Sequence, residues 1–290
     1  GIRQKLNANS TTTVSCALRR KQPLVTNWQP TSPIEFTHAG GSPISAHSSQ
    51  NSIAIPEELL AVLETICEVV DNEAALAESS RDWWPLALHW SLRGEVPQLA
   101  DLIARPSSTA EVVAVMQACN IGRVPVTASG GRSGVCGAAV PVFGGVILDM
   151  TGLAGVRSVD TESGIVEVLP GTSGPDLESA INSANGLTVG HFPQSFDLAT
   201  VGGWVASRGA GQYSTRYGKI EEMVVGLEVV LADGTVMRTG GAPAAASGPD
   251  LTELIVGSEG TLGIITNVWL KAHPVAASER RAAYIFPTFE

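Results

Sequence analysis

Hydrophobic residues near the start of the patterned part of the chain lie at helical spacing. The period over 56–70, with Pro56 at its beginning, predicts an amphipathic helix. A shorter helix is predicted over 73–80, so that 53–95 forms an N-terminal helical segment. Residues 1–52 are rich in Ser, Thr, Asn, Gln and Pro and have no apolar period, which predicts disorder.

From residue 96 onwards, short apolar runs alternate with helical stretches. Ser108 and Glu111 have the spacing of a capping box and predict a helix start, and Asp233-Gly234 predicts a hairpin turn. Helices are also expected at 175–184 and 251–255, and strands at 124–126, 146–150, 156–159, 165–169, 188–190, 222–231, 235–238 and 264–271. Local hairpins without regular βαβ alternation predict the α+β class.

A glycine-rich loop at 125–137 follows the first of these strands. It holds four glycines and two serines, so we expect it to bind through its main chain. Glycine lets another group approach the backbone closely, and successive N–H groups bind anions such as phosphate. A strand follows the loop, not a helix, which excludes a Rossmann loop, and no Gly-Lys-Ser/Thr follows, which excludes a P-loop. A tight turn between two strands remains an equal alternative at this point.

Two further runs of small residues follow, at 191–211 and 257–263. Small side chains allow a flat ring to lie against the backbone. The sequence thus places three loops of related character in a fixed order along the chain.

The net charge of −10 argues against a nucleic-acid or anionic-membrane surface. Residues 1–52 are the exception, with five basic residues against one acidic residue. The four cysteines are scattered without metal-binding spacing, so we expect no metal and a reduced, cytoplasmic protein. No apolar run approaches the length of a membrane helix, so no transmembrane segment is expected. The partner expected is a small-molecule substrate, and a homodimer is left open.

The three loops resemble the FAD-binding module of the vanillyl-alcohol oxidase/PCMH superfamily, the FAD-linked oxidases. The resemblance covers 96–274 and is carried by VGSEGTLGII at 256–265, TVGG at 200–203 and YGKIEE at 217–222. It implies a PCMH-type fold of two α+β subdomains, about 96–190 and 191–274, with FAD as cofactor.

Within that superfamily the chain is similar to the alkyldihydroxyacetonephosphate synthase branch and related bacterial oxidases. GHFPQSF at 190–196, SGPD at 247–250 and FPTFE at 286–290 carry this likeness. D-2-hydroxyacid dehydrogenases share the core motifs and fit these side motifs less well. The branch exchanges an acyl for an alkyl chain on acyl-dihydroxyacetone phosphate with no net redox change, whereas the dehydrogenases pass a hydride to FAD.

The resemblance also implies which residues contact FAD. The first loop would wrap the pyrophosphate, the second would lie against the ribityl chain and flavin, and the third would hold the adenosine and the flavin edge. The implied contacts are Thr127, Ala128, Ser129, Gly130, Gly131, Arg132 and Ser133; Gln194, Ser195, Asp197, Thr200, Gly202 and Gly203; Ser207, Arg208, Gly209 and Ala210; and Glu259, Gly260, Thr261, Leu262, Gly263, Ile264 and Ile265.

The departures from the family pattern concern the attachment of FAD. Arg132 stands where many relatives carry a flavin-linking His, and 191–203 lacks the second linking Cys, which implies non-covalent FAD. Arg132 itself could pair with a phosphate or point to solvent. Catalytic residues are expected in a C-terminal cap domain, of which 275–290 would be the start. A non-catalytic FAD-binding fragment is the third alternative.

Several conspicuous side chains have simpler interpretations. His191 is expected to be structural because the sequence offers it no orienting partner. The tryptophans of 83–90 are expected to be core anchors under a loop, with a substrate contact as the less favoured alternative. Glu221 and Glu222 are interpreted as a solvated turn, whereas Glu259 is expected to contact the cofactor.

Overall fold

The computed structural model describes residues 45–47, 52–240, 248–280, 282–284 and 288. Most of the segment predicted to be disordered and most of the 286–290 motif lie outside these residues. Within that segment, residues 45–46 form a short strand that pairs in parallel with a strand at 95–96. Within the described ranges, no helix combines the length and apolar character needed to cross a membrane.

The described residues form nine α-helices and thirteen strands without regular alternation. The helices are α1 (Glu57–Ile66), α2 (Glu73–Ser79), α3 (Pro85–Ser91), α4 (Thr109–Gly122), α5 (Gly174–Asn185), α6 (Val201–Ala206), α7 (Ser214–Tyr217), α8 (Ile220–Met223) and α9 (Leu251–Ile255). The strands are β1 (Ser45–Ala46), β2 (Glu68–Val70), β3 (Glu95–Val96), β4 (Leu102–Arg105), β5 (Val126–Ser129), β6 (Val146–Asp149), β7 (Val156–Asp160), β8 (Ile165–Val168), β9 (Leu187–Thr188), β10 (Val224–Val230), β11 (Val236–Arg238), β12 (Ile264–Lys271) and β13 (His273–Pro274).

The first sheet has the order β2-β4-β6-β5. Strands β4, β6 and β5 are mutually parallel, and β2 runs antiparallel at the edge. Helix α4 crosses from β4 to β5, starting where the Ser108 hydroxyl accepts the Glu111 N–H at 3.2 Å and ending at Arg123 in the left-handed conformation. The expectation of local hairpins is therefore wrong here, since the glycine-rich loop joins two parallel strands.

The second sheet has the order β11-β10-β12-β8-β7 and is antiparallel throughout. Its β7–β8 and β10–β11 connections are the hairpins that the sequence predicts, the latter turning at Asp233-Gly234. Helix α5 packs on this sheet and begins at Ser173, whose hydroxyl accepts the Asp176 N–H at 3.2 Å. The structure thus confirms the α+β class that the sequence predicts.

Each sheet has its own apolar core. Leu63, Val115 and Leu148 lie in the first, and Leu177 and Val268 in the second. The predicted helix over 56–70 is shorter than expected, because it ends at Ile66 and the next residues form β2. The β-branched Val69 and Val70 suit an edge strand better than a helix end.

One buried carboxylate links the first sheet and its helix α4 to the second sheet. Glu228 of β10 accepts hydrogen bonds from the hydroxyls of Thr109, at the start of α4, and Thr266 of β12, both at 3.0 Å. It also pairs with Arg238, whose Nη2 lies 2.7 Å from the Glu228 Oε2. The contact from α4 to β10 therefore joins the parallel sheet to the antiparallel sheet.

Candidate functional site

A cavity of about 610 Å³ lies where the three small-residue loops meet. Most residues expected to touch FAD lie on its wall, although their contacts with the cofactor remain a prediction. They are Ala128, Ser129, Gly130, Gly131, Arg132, Ser133, Gln194, Ser195, Thr200, Gly202, Gly203, Ser207, Gly209, Ala210, Glu259, Gly260, Gly263, Ile264 and Ile265. The volume is in the range of ordinary small-molecule and cofactor sites.

Five of the expected residues do not line this cavity: Thr127, Asp197, Arg208, Thr261 and Leu262. Arg208 turns away from it, and its Nη2 donates to the Glu253 carboxylate at 2.8 Å and to the Val256 carbonyl at 3.3 Å. It therefore braces the third loop instead of lining the cavity. The Thr261 hydroxyl donates within its own loop, to the Ser258 carbonyl at 2.6 Å.

The first and second loops pack main chain against main chain. A Cβ at Gly131 would overlap the Leu198 carbonyl oxygen and lie 3.1 Å from the Ala199 Cα. A Cβ at Gly130 would lie 2.5 Å from the Thr200 hydroxyl. From the sequence, these glycines are expected to let a bound group approach the backbone closely. At Gly131 the approaching group is the second loop itself.

Two residues of the cavity wall each carry a buried polar atom that lacks a hydrogen-bond partner among the described residues. The Ser129 hydroxyl and the Trp204 indole N–H make no hydrogen bond with any described residue. Such orphaned groups are uncommon because leaving one unpaired costs about 1–3 kcal/mol. Neither atom is exposed to the cavity, so the fit to a dinucleotide rests instead on the cavity volume and on a wall of small residues such as Gly202, Gly203 and Gly260.

The charged side chains on the wall are Asp82, Arg132 and Glu259. Arg132 takes a left-handed conformation, with φ of 50°, and its Nη2 lies 3.8 Å from the Glu78 carboxylate. Neither alternative from the sequence, a phosphate partner or a solvated side chain, includes this ion pair with the N-terminal segment. One guanidinium among two acids leaves the diphosphate field to main-chain N–H groups.

His191 lies just behind the wall and is 1% exposed. Burial lowers the pKa of its ring to about 4, against an opposing pull from Glu221, so the imidazole is neutral at physiological pH. Its ring stacks edge-on against Trp204, with centroids 4.8 Å apart. At the wall residue Gly209, an added Cβ would lie 3.3 Å from the His191 Nε2.

Glu221 is not in a solvated turn, contrary to its interpretation from sequence. Its side chain is 10% exposed and pairs with Lys219 and, at 3.9 Å, with Arg208. Burial would raise the pKa of this carboxyl, but the Lys219 and Arg208 charges hold it below the usual value. Glu222 is exposed and accepts the Lys219 N–H at 2.8 Å at the start of α8.

The three tryptophans of the 83–90 segment are not core anchors. Trp83 is exposed on the cavity wall, and Trp84 and Trp90 are half-buried. Trp84 and Trp90 contact edge to face with centroids 5.5 Å apart, and Trp90 stacks on His47 at 4.2 Å. The sequence reveals the cluster, but no periodicity shows which ring faces the cavity.

A parallel sheet, an antiparallel sheet and a cavity between their small-residue loops define a PCMH-type FAD-binding fold. Residues 100–240 match the family described as FAD binding domain. The matched part of the chain is an FAD binding domain like that of the FAD-linked oxidases, and its cofactor is FAD.

Individual relatives agree with this assignment. The alkyldihydroxyacetonephosphate synthase of Caenorhabditis elegans is 32% identical over 201 residues, which cover 68% of this chain and 34% of the relative. The glycolate oxidase subunit GlcD of Bacillus subtilis is 33% identical over 193 residues, 66% of this chain and 41% of the relative. A solved alkyldihydroxyacetonephosphate synthase structure superposes with a TM-score of 0.72 at 30% identity, covering 82% of this chain and 44% of that one. The chain thus spans less than half the length of these relatives.

Gly203 offers a test of the cavity that leaves the loop packing intact. A Cβ there would meet only the Thr200 hydroxyl, at 3.3 Å, so a larger side chain would occupy cavity space. We expect Gly203→Val to weaken FAD binding by about tenfold or more, because it removes room for the ligand. Titration of the apoprotein with FAD measures the affinity. Ala184→Val, at an exposed position of α5, is the matched control and should bind FAD normally.

Proposed function

We propose that the chain holds FAD non-covalently in the cavity between its three loops. The observation that carries this proposal is the cavity of about 610 Å³ where the three loops meet, with a wall made largely of small residues. On this proposal 96–274 is the FAD-binding domain, 53–95 an N-terminal helical segment and 275–290 the start of a cap domain. Main-chain N–H groups of the first loop would face the diphosphate.

In such a site the cofactor supplies the redox or carbon chemistry, and the protein binds and orients it. The buried neutral His191 would keep the second loop in place behind Trp204. The small residues of the loops would let the flat ring system lie against the main chain.

The absence of a linking residue gives a direct test of attachment. Arg132 occupies the position where linked relatives carry His, and Cys136 is exposed beyond the loop. We expect acid precipitation of the yellow protein to release all of its flavin into the supernatant, which absorbance measures. Flavin that stays with the pellet after repeated washing would contradict non-covalent binding.

For the whole protein, we propose an alkyldihydroxyacetonephosphate synthase-like activity. The acyl chain of an acyl-dihydroxyacetone phosphate would leave as a fatty acid, and a long-chain alcohol would supply the alkyl chain. The identities to synthases and the superposition on a synthase structure support this proposal. The side motif GHFPQSF at 190–196, which resembles that branch, supports it as well.

A D-2-hydroxyacid dehydrogenase activity is the second candidate, favoured by the similarity to the glycolate oxidase subunit. The two activities differ in what happens to the flavin. Anaerobic mixing of the whole protein with D-lactate or glycolate should bleach the flavin band if it is a dehydrogenase. A synthase should leave the band oxidised and convert labelled long-chain alcohol into an alkyl product. A yellow whole protein that is inactive in both assays would instead support a non-catalytic FAD-binding role.

A further inference from the structure

The N-terminal segment closes one end of the cavity. Asp82 and Trp83 lie on the wall, although they precede the residues that match the FAD binding domain family. The neighbouring wall residues, Arg132 to Val135, belong to the glycine-rich loop. This end of the site is therefore shared between two parts of the chain that are 50 residues apart in sequence.

The contact between these two parts is built from fixed hydrogen bonds. The Asp82 carboxylate is 1% exposed and accepts the N–H groups of Trp84 at 2.9 Å and Gly137 at 2.8 Å. The Trp83 N–H donates to the Gly134 carbonyl at 2.8 Å. These bonds fix the backbone of Trp83 on both sides against the return of the loop.

A second contact runs alongside. Glu78 of α2 pairs with the buried Arg81 and, at 3.8 Å, with Arg132 of the loop. Through Glu78, Arg132 of the loop contacts the same segment that carries Trp83. The segment is thus held to the loop at several points, which a passing surface contact would not require.

The indole of Trp83 is the unexplained part of this arrangement. It is 37% exposed, whereas the main chain around it is fixed, so a large apolar ring is presented to the cavity. Indole faces stack well on flat heteroaromatic rings, and such contacts need little conformational ordering. FAD carries two rings of this kind, the flavin and the adenine.

We propose that Trp83 is a binding residue of the FAD site and that its indole contacts one of the two flat rings of the cofactor. This inference rests on the proposed position of FAD in the cavity. Asp82 is the positioning residue, because it fixes the backbone that presents the indole. The cofactor site is then incomplete without the segment that precedes the matched domain.

The test compares Trp83→Ala, Trp83→Phe and Trp90→Ala in the otherwise unchanged chain. Trp90→Ala is the matched control, since Trp90 lies in the same segment and stacks on His47, away from the wall. We expect Trp83→Ala to weaken FAD binding about tenfold, and Trp83→Phe and Trp90→Ala to stay within about threefold of the parent. Melting temperatures of the apoproteins show whether a loss reflects folding.

Titration with FMN and with ADP tells which ring is contacted. If Trp83→Ala weakens FMN alone and brightens the emission of bound flavin, the contact is to the flavin; if it weakens ADP alone, the contact is to adenine. FAD affinity that is unchanged in Trp83→Ala, or that Trp83→Phe fails to restore, overturns the inference while leaving the cavity as the FAD site. A parent chain that binds no FAD at all would instead overturn the proposed function.

Discussion

Gly131→Val is expected to abolish FAD binding and to destabilise the fold by about 3 kcal/mol or more. The reason is the contact between loops, because any side chain at this position overlaps the Leu198 carbonyl and crowds the Ala199 Cα. The second loop would have to move away from the first, which opens the wall of the cavity. Denaturant unfolding followed by fluorescence measures the stability, and the flavin absorbance of the purified protein measures retention.

Gly134→Ala is the control within the same loop. A Cβ at Gly134 would meet only the Asp82 carboxylate, at an ordinary 3.5 Å. Its stability should therefore stay within about 1 kcal/mol of the parent, with FAD retained. If Gly131→Val were as stable and as yellow as Gly134→Ala, the packing of the two loops described above would be wrong.

Glu228→Ala is expected to cost about 2–3 kcal/mol of unfolding free energy. The substitution leaves the buried Thr266 hydroxyl and the Thr109 hydroxyl without their carboxylate acceptor and separates α4 from β10. The ion pair with Arg238 adds little, because that guanidinium is largely exposed. Glu162→Ala, in the exposed turn between β7 and β8, should change the stability by less than about 0.5 kcal/mol.

The same carboxylate makes stability depend on pH in a stated direction. Burial would raise the pKa of Glu228, but hydrogen bonds from Arg238, Thr109 and Thr266 hold it below the usual value. Its contribution is therefore complete above the unfolded pKa of about 4.3 and is lost as pH falls through the lower folded pKa. In Glu228→Gln this part of the acid destabilisation should disappear. A variant with the same acid profile as the parent would show that Glu228 is not the group responsible.

Local signals predict much of the fold. The capping residue Ser108 and the Asp233-Gly234 turn act within a few residues, so the sequence places α4 and the β10–β11 hairpin close to where the structure has them. The parallel arrangement of β4, β6 and β5 is not visible in the same way. An apolar run shows that a strand is buried, but it does not show which strand lies beside it or in which direction.

The site follows the same division. The three loops can be recognised in the sequence by their glycines, and most of the residues expected to contact FAD line the cavity. The residues that the sequence misses depend on distant contacts: Asp82 and Trp83 reach the wall through a loop more than 50 residues later. The burial of Glu221 is missed for the same reason, because Arg208, one of its partners, comes from another loop.

The loop contact at Gly131 also limits how this chain can change over time. The atom that blocks a side chain at position 131 is the carbonyl oxygen of residue 198, which every amino acid possesses. No replacement at 198 could make room, so the two positions cannot compensate for one another as a pair of side chains could. Among descendants of this sequence, the overlap at 131 persists whatever side chain stands at 198, so 131 is bound to glycine unless a whole loop is rebuilt.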